Sequence, residues 1–247
     1  MDVELQRPGE GEVPAAKRLL ERVFANYSRY FDAVVGDGLY LEAPFINFCR
    51  EHHKHAVVVV KGEHRLLLQD AKGLFSQRVP DEWREGRRTV QSWDEEGFTS
   101  CEGVAEPLRV LHTLETVQRR ERIAGEWKQS EETSSWYWAT TFSRKQLPAR
   151  EFWRAGHWRW DIENDCFNTT STHWGLDHVF KHEPTAIVNF VLTLFLAFVL
   201  LQCFWQRNLK PPLRDCFTRI GLAAELYAAL AGAKRGGGPC IPRARGP

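Results

Sequence analysis

The sequence predicts an α/β fold, and its first forty residues supply the main observations. Apolar residues recur at helical spacing from Pro14 to Tyr27, which indicates an amphipathic helix. The apolar run FDAVVG, which begins at Phe31, ends in the turn Gly36-Asp37-Gly38, as a buried strand ends in a glycine-flanked turn. A helix followed by a strand with an acidic side chain at its carboxyl end is a typical opening of an α/β domain.

The middle of the chain is predicted to be mainly β, from about residue 56 to 127. After a second helical stretch around 43–53, apolar runs follow one another as AVVVVK, HRLLLQ, RTVQSW and LRVLHT. WYWATTF (136–142) adds one more strand, and the composition becomes helical from Pro148 onward. A β-rich block therefore lies between two α/β pieces, which indicates an insertion into one domain.

The composition excludes several classes of protein. With 247 residues and 43% hydrophobic residues the chain is neither collagen-like, mucin-like nor globally disordered. Its 33 Lys and Arg against 32 Asp and Glu give a net charge of +1, so a polyanionic partner has to be met by a local patch. Six scattered cysteines without a Cys-x-x-Cys pair, and a start without the features of a signal peptide, predict a reduced chain in the cytoplasm.

The C-terminal part contains one very apolar stretch, 186–205, whose polar residues are Asn189, Thr193 and Gln202. Its length suits a membrane span, but it equally suits the central helix of a large soluble domain, which we favour. In that case Ala197 and Leu200 are expected to pack against the sheet. The last residues, 229–247, are rich in Gly, Pro and Arg and are predicted to form a disordered basic tail.

Two carboxylates are the candidate chemistry-bearing groups. The chain has no nucleophile elbow, no Walker loop and no dinucleotide-binding glycine motif after a strand. What remains is Asp37 at a strand end and Glu163 on a later helix, where Arg159 lies four residues earlier on the same face. A surface ion pair is the simplest interpretation of Arg159 and Glu163, although the neighbouring tryptophans indicate a buried helix. Acidic groups without a nucleophile or a histidine base are what a magnesium site for phosphoryl transfer requires.

These segments resemble the DDE transposases of bacterial insertion sequences, in the ribonuclease H-like branch marked by a Tyr-Arg-Glu-Lys signature. FDAVVGDGLYLEAPFI resembles the segment of the second catalytic Asp, here Asp37, and HWRWDIENDCFN resembles that of the catalytic Glu, here Glu163, with the signature Arg at Arg159. WYWATTF resembles the core strand before that helix. FDAVVG and WYWATTF are expected to be neighbouring strands of one sheet. The resemblance covers roughly residues 10–225.

The resemblance implies a domain organisation and a chemistry. It implies an incomplete ribonuclease H-like α/β domain in two parts, 10–55 and 131–228, with a β-rich insertion at 56–130, a helical C-terminal part and the tail at 229–247. It also implies Asp37 and Glu163 as catalytic ligands of two Mg²⁺ ions that cut and transfer DNA strands. The implied partners are double-stranded DNA at element ends and targets, and a homodimer or a mixed assembly with an intact transposase. Five basic residues are predicted to line the DNA path: Arg144, Lys145, Arg150, Arg154 and Arg159.

Two departures from the family pattern bear on activity. Upstream of Asp37, where the first catalytic Asp belongs, the chain has only Asp2 and Asp32, and the signature Tyr and Lys are replaced by Gly156 and Thr170. The expectation is therefore an N-terminally truncated transposase that binds DNA without cleaving it. Two alternatives remain open: a small membrane-anchored protein with its span at 186–205, and a non-catalytic DNA-binding remnant.

Overall fold

The computed structural model describes residues 2–62, 65–123, 126–178 and 181–232, and for 119–123 and 126–128 it describes the backbone. The chain divides into two compact units, one formed by Gln6–Ile162 and the other by Glu163–Pro247 with Met1–Leu5. Each unit is described on its own.

The first unit is built around one six-stranded mixed sheet. The strand order is β1-β2-β6-β5-β4-β3, in which β1 and β2 are parallel and all other neighbours are antiparallel. Helix α2 connects the two parallel strands, because a parallel pair needs a crossover, whereas β3 to β6 follow one another antiparallel. The elements are α1 (Glu12–Tyr27), β1 (Ala33–Gly36), α2 (Ala43–Glu51), β2 (His55–Val59), α3 (Leu66–Phe75), β3 (Asp81–Glu85), β4 (Arg88–Phe98), β5 (Leu108–Ile123), β6 (Glu126–Thr140) and α4 (Ala149–Asp161).

Helices cover the two faces of this sheet. Side chains alternate between the faces along each strand, so each face has its own core. On one face α3 packs against Val58, Val110 and Ala139. On the other face α4 packs against Val57, Leu111 and several tryptophans, of which Trp138 is fully buried. This mixed α/β architecture is consistent with a ribonuclease H-like transposase domain.

Two sequence-based expectations about the sheet are wrong. HRLLLQ does not form a strand, because its leucines belong to α3, where Leu67, Leu68 and Ala71 recur at helical spacing on a buried face. FDAVVG and WYWATTF do share one sheet, as expected, but they are not neighbours. Strand β2 lies between them and hydrogen-bonds to both.

The second unit is helical in its described part. A π-helical segment (Ile162–Phe167) follows α4, and then come α5 (Asn168–Trp174), α6 (Pro184–Cys203), a second π-helical segment (Phe204–Asn208), α7 (Pro211–Cys216) and α8 (Arg219–Leu230). Residues 229 and 230 of the predicted disordered tail end α8, and residues 233–247 lie outside the described residues.

Helix α6 contradicts the expectation made for its packing. One stripe of it is buried, formed by Leu194, Phe198 and Leu201, and Phe198 packs edge-on against Trp174. Ala197 is exposed and Leu200 is 60% exposed, whereas both residues were expected to be buried. The reason is that a helix that is apolar all round has no sequence signal for which side finds a partner.

One buried carboxylate connects the sheet to α4. Glu115 of β5 is 1% exposed, and its oxygens accept hydrogen bonds from Trp153 (2.8 Å) and His157 (2.7 Å) of α4. Thr113 (3.1 Å) and Arg88 (2.9 Å) donate to it from the sheet. Burial by itself raises the pKa of Glu115, but the hydrogen bonds from His157 and Trp153 outweigh burial and lower it. Four donors thus keep a charge buried at the interface between sheet and helix.

The first prediction concerns Glu115→Gln. At pH 7 we expect this variant to lose about 2 kcal/mol of unfolding free energy. The uncharged Gln amide replaces one acceptor oxygen by an NH₂ group, which then faces side chains that are themselves hydrogen-bond donors. Because the pKa of Glu115 is lowered in the folded state, its carboxylate stabilises the protein at pH values above the ordinary carboxyl pKa of about 4.3. This stabilisation is lost as the pH falls through the folded-state pKa. The difference from wild type should therefore shrink at acidic pH, as measured by urea unfolding at both pH values.

The matched control is Glu102→Gln, which changes an exposed carboxylate that has no recorded partner among the described residues. It should alter the unfolding free energy by less than about 0.5 kcal/mol. A loss in Glu115→Gln that stayed the same at acidic and neutral pH would contradict the assignment of the effect to the ionised carboxylate.

Candidate active site

Asp37 lies at the carboxyl end of β1, where the parallel pair of strands ends. It is the N-cap of a short 3₁₀ helix (Gly38–Tyr40), and its Oδ1 accepts a hydrogen bond from the backbone N–H of Leu39 (2.9 Å). Lys61 follows the end of β2 at the same edge of the sheet. In open α/β sheets, ligands bind at the carboxyl ends of parallel strands. The structure therefore puts Asp37 at the edge where a ligand site is expected.

The loop that carries Asp37 is held by neighbouring side chains. Gly38 is buried against the β2 side of the loop, and a Cβ there would lie 3.1 Å from Lys61 Cβ and 3.3 Å from Val59 O. Arg65 donates hydrogen bonds to the carbonyls of Gly38 (3.0 Å) and Leu41. These contacts fix the backbone on both sides of the turn, so the position of the Asp37 carboxylate is well defined.

Tyr40 closes the same loop from the other side. Its hydroxyl donates a hydrogen bond to Glu12 Oε1 of α1 (2.6 Å). Burial, and then this hydrogen bond to a carboxylate, raise the pKa of Tyr40. Tyr40 therefore stays protonated at neutral pH and acts as a donor that ties α1 to the loop.

Helix α4 runs toward this edge of the sheet. Just before the helix, Leu147 O accepts a hydrogen bond from Arg109 of β5 (2.6 Å). Arg109 pairs with Thr140 of β6, which in turn pairs with Val57 in the middle of β2. Further along α4, Gly156 lies against Trp138, which pairs with Val59 at the carboxyl end of β2. The direction of α4 is thus from the middle of the parallel strands toward their carboxyl ends.

Gly156 explains one departure from the family signature. A Cβ at this position would lie 2.5 Å from the indole of Trp138, which is 1% exposed and has no room to move within the core. The signature tyrosine therefore has no space here, and glycine is what permits close packing of α4 on the sheet.

Glu163 and Arg159 follow along the same stretch of chain. Arg159 lies in the last turn of α4, with its guanidinium 5.6 Å from the centre of the Trp160 ring. Glu163 lies in the π-helical segment Ile162–Phe167, so the simple four-residue helical spacing assumed for this pair is replaced by a wider turn. The expectation of a buried helix holds for its first half only, since Trp158 is 57% exposed.

The second departure from the signature also has a local explanation. Thr170, at the position where the resemblance implies a signature lysine, is fully buried in α5. Its hydroxyl donates hydrogen bonds to the carbonyls of Cys166 (2.8 Å) and Phe167 (3.1 Å). This side chain satisfies backbone groups of the π-helical segment and does not reach solvent.

Most of the predicted DNA-binding residues bond to acids of their own unit. Arg150 donates to Glu85 (3.0 Å), and Arg154 donates to Glu85 (3.0 Å) and to Glu151 (2.9 Å). Arg144 donates to Glu95 (3.4 Å) and to the carbonyl of Asp94. Lys145 is exposed and has no recorded partner among the described residues.

The described residues do not assemble a complete metal site within either unit. No group of three or more His, Cys, Asp or Glu side chains is placed to hold an ion in 2–62, 65–123, 126–178 or 181–232. Asp37 already accepts a backbone hydrogen bond, Lys61 and Arg65 lie beside its loop, and the nearby Glu12 carboxylate accepts the hydrogen bond of Tyr40. Two Mg²⁺ ions need several carboxylate oxygens, and the residues present in each unit do not fit that requirement.

Reasoning from sequence missed three residues that shape this part of the fold: Arg65, Glu115 and Gly156. Gly156 had a signal, because a glycine inside an otherwise helical pattern indicates close packing. Arg65 and Glu115 had none, because Arg65 bonds to residues 24 and 27 positions away and three of the four donors to Glu115 lie 27 or more positions away.

Comparison with known proteins identifies a family. A family model described as the transposase DDE domain matches residues 1–200. A search of curated proteins finds no match to the chain.

The second prediction concerns Gly156→Ala. The added methyl would collide with the Trp138 indole, and overpacking of this kind costs about 1–3 kcal/mol, more than the roughly 1 kcal/mol that alanine gains in a helix. We expect lower stability, measured by thermal unfolding. The control is Gly73→Ala in α3, where a Cβ meets nothing within 4 Å and the same change should stabilise. Equal effects at both positions would show that the contact with Trp138 is not limiting.

Proposed function

Because this chain belongs to the transposase DDE domain family, we propose that it acts in DNA transposition as a DNA-binding protein that does not cleave DNA on its own. The family match over residues 1–200 is the observation that carries the transposition-related function. The absence of DNA cleavage is our inference from the donor set at Asp37.

We propose Asp37 and Glu163 as the two family carboxylates present in this chain. Asp37 is supported by its position after β1, at the carboxyl edge of the parallel pair. Glu163 is supported by its place in HWRWDIENDCFN, the segment that resembles that of the family's catalytic Glu. In DDE transposases divalent metal ions activate the nucleophile, and two carboxylates supply too few oxygens for two ions. No cleavage step is therefore assigned to this chain.

DNA binding would rest on basic side chains. Arg159, Arg154, Arg150, Arg144 and Lys145 remain the proposed contacts, but acidic partners occupy three of these arginines and reduce what each offers a phosphate. We therefore assign the larger share to Lys145, which is exposed. With a net charge of only +1, the protein as a whole attracts DNA weakly.

The proposed partners are double-stranded DNA, at element ends and targets, and a second transposase polypeptide. A homodimer, or a mixed assembly with an intact transposase, would let this chain act on transposition without cutting DNA. The family favours a soluble protein in the cytoplasm.

The third prediction is weak, salt-sensitive binding to duplex DNA without nicking. Affinity should fall steeply between about 50 and 200 mM salt, because phosphate contacts release counterions. No strand cleavage is expected with magnesium or manganese. Gel retardation and a supercoiled-plasmid nicking assay on the purified 247-residue protein measure both.

One result would overturn the absence of cleavage. If the protein nicks DNA in a metal-dependent reaction that Glu163→Gln abolishes and the control Glu102→Gln leaves intact, another acid completes the site. Failure to retard any duplex DNA at low salt would instead count against DNA binding.

A membrane-anchored protein is the second candidate, because of the helical stretch Pro184–Asn208. Among the described residues it is the one stretch long and apolar enough to cross a bilayer, with a mean hydropathy of 2.4 and only 6% of its most apolar window buried. Length and composition alone are weak evidence, since core helices of soluble proteins pass the same test.

The fourth prediction distinguishes these candidates by fractionation. We expect recovery of the protein in the supernatant after high-speed centrifugation without detergent. Recovery in membranes that resist carbonate extraction, with residues 184–208 protected from protease, would favour the anchored protein. A Leu196→Arg variant, which places a charge in the middle of α6, should then lose membrane recovery.

A further inference from the structure

The face of the sheet opposite α4 is covered over only part of its length. Helix α3 packs on it near β2, and the covered part ends at a row of stacked rings formed by Trp93, His112 and Tyr137. The ring centres of His112 lie 4.7 Å from Trp93 and 4.0 Å from Tyr137. Beyond this row no described helix of the same unit packs on the face, and the side chains change from apolar to polar.

A polar cavity of about 790 Å³ occupies this uncovered part. Cross-strand partners lie on the same face of a sheet, and here Arg84 pairs with Thr89, which pairs with Thr116. The lining comes from all four antiparallel strands and the β3–β4 turn, and consists of Arg84, Gly86, Arg87, Thr89, Gln91, Thr116, Gln118, Gln129 and Glu131. It contains no large apolar side chain, so an apolar ligand or a hydrophobic protein surface has nothing to bury there.

The two arginines of the cavity differ from the other arginines that touch this sheet. Arg88 and Arg109, on the opposite face, bond to Glu115 and Asp94. Arg84 and Arg87 are exposed, and neither has a recorded partner among the described residues. Their charges are therefore available to a ligand.

Charge and hydrogen-bonding groups of the cavity suit a phosphate-rich partner. Two arginines against one lining acid, Glu131, leave an excess of one positive charge. Desolvation lowers the pKa of the nearby His112 to about 4, so this histidine adds no charge at neutral pH. Glutamine amides and threonine hydroxyls can donate hydrogen bonds to phosphate oxygens. Most hydrogen bonds between proteins and DNA are of this kind, and they do not depend on the base sequence.

We propose that this cavity binds the sugar–phosphate backbone of duplex DNA, with Arg84 and Arg87 as the phosphate contacts. The proposal rests on the proposed DNA-binding function and adds to it a second contact surface, on the β3–β6 part of the sheet. Arg84 precedes and Arg87 follows the turn glycine Gly86, whose φ of +62° fits a tight hairpin turn. Both arginines therefore lie at the end of the β3–β4 hairpin and line the cavity.

The test compares two double variants of the full chain in fluorescence-anisotropy titrations with a duplex DNA probe. Arg84→Gln/Arg87→Gln removes the two proposed contacts, and Arg29→Gln/Arg207→Gln removes two exposed arginines elsewhere with the same change in net charge. We expect the first to weaken binding at least about tenfold and to reduce the salt slope by about 2. The control should change affinity by less than about twofold. Arg84→Lys/Arg87→Lys should restore most of the salt slope, because lysine keeps the charge.

The possible results separate this inference from the proposed function. If wild type binds DNA and the cavity variant binds like the control, the cavity is not a DNA contact, and the proposed function stands. If wild type binds no DNA, both are overturned. Tighter binding of an RNA duplex of the same sequence would replace DNA by RNA as the ligand. Coinciding urea unfolding curves for the variants would exclude misfolding as the cause of any loss.

Discussion

The buried Glu115 carboxylate is the interaction on which the arrangement of the first unit depends. It is 1% exposed and joins the antiparallel part of the sheet to α4 through Trp153 and His157. A charge removed from water is tolerated only when donors surround it, and removing one partner of such a group costs several kcal/mol. This requirement fixes the position of α4 along the sheet and its rotation about its own axis. Apolar packing alone specifies both less strictly.

The position of α4 has consequences for the edge of the sheet at which Asp37 lies. Because Gly156 lets the helix lie directly on Trp138, α4 follows the sheet toward the carboxyl ends of β1 and β2, where Asp37 caps its loop. Arg65 holds that loop through two backbone carbonyls. The loop around Asp37 is therefore held in place, and among the described residues of each unit no group of three or more potential ligands is placed to hold a metal ion.

Charge in the first unit is divided between structure and surface. Arg150 and Arg154 of α4 bond to Glu85 of β3 and so connect the helix to the sheet, whereas Arg144, which precedes the helix, bonds to Glu95 of β4. Arg84 and Arg87, on the uncovered face, have no such recorded partner among the described residues. An arginine that forms an ion pair with a carboxylate has a lower affinity for phosphate than a solvated arginine. For this reason, the number of basic residues in a stretch of sequence is a poor guide to where DNA binds.

The sequence by itself determined the α/β class, the first helix, the β1 strand ending at Asp37 and most of the antiparallel strands, because periodicity and turn residues are local signals. Its motif order also led to the transposase DDE domain family, which the match over residues 1–200 confirms. Only the tertiary structure decided that HRLLLQ is helical, that β2 separates β1 from β6, and that Ala197 and Leu200 of α6 are exposed. It also decided which of the described arginines bond to acids and which acid anchors α4. The physical reason is that these outcomes depend on partners tens of residues away, whose burial and charge no local pattern records.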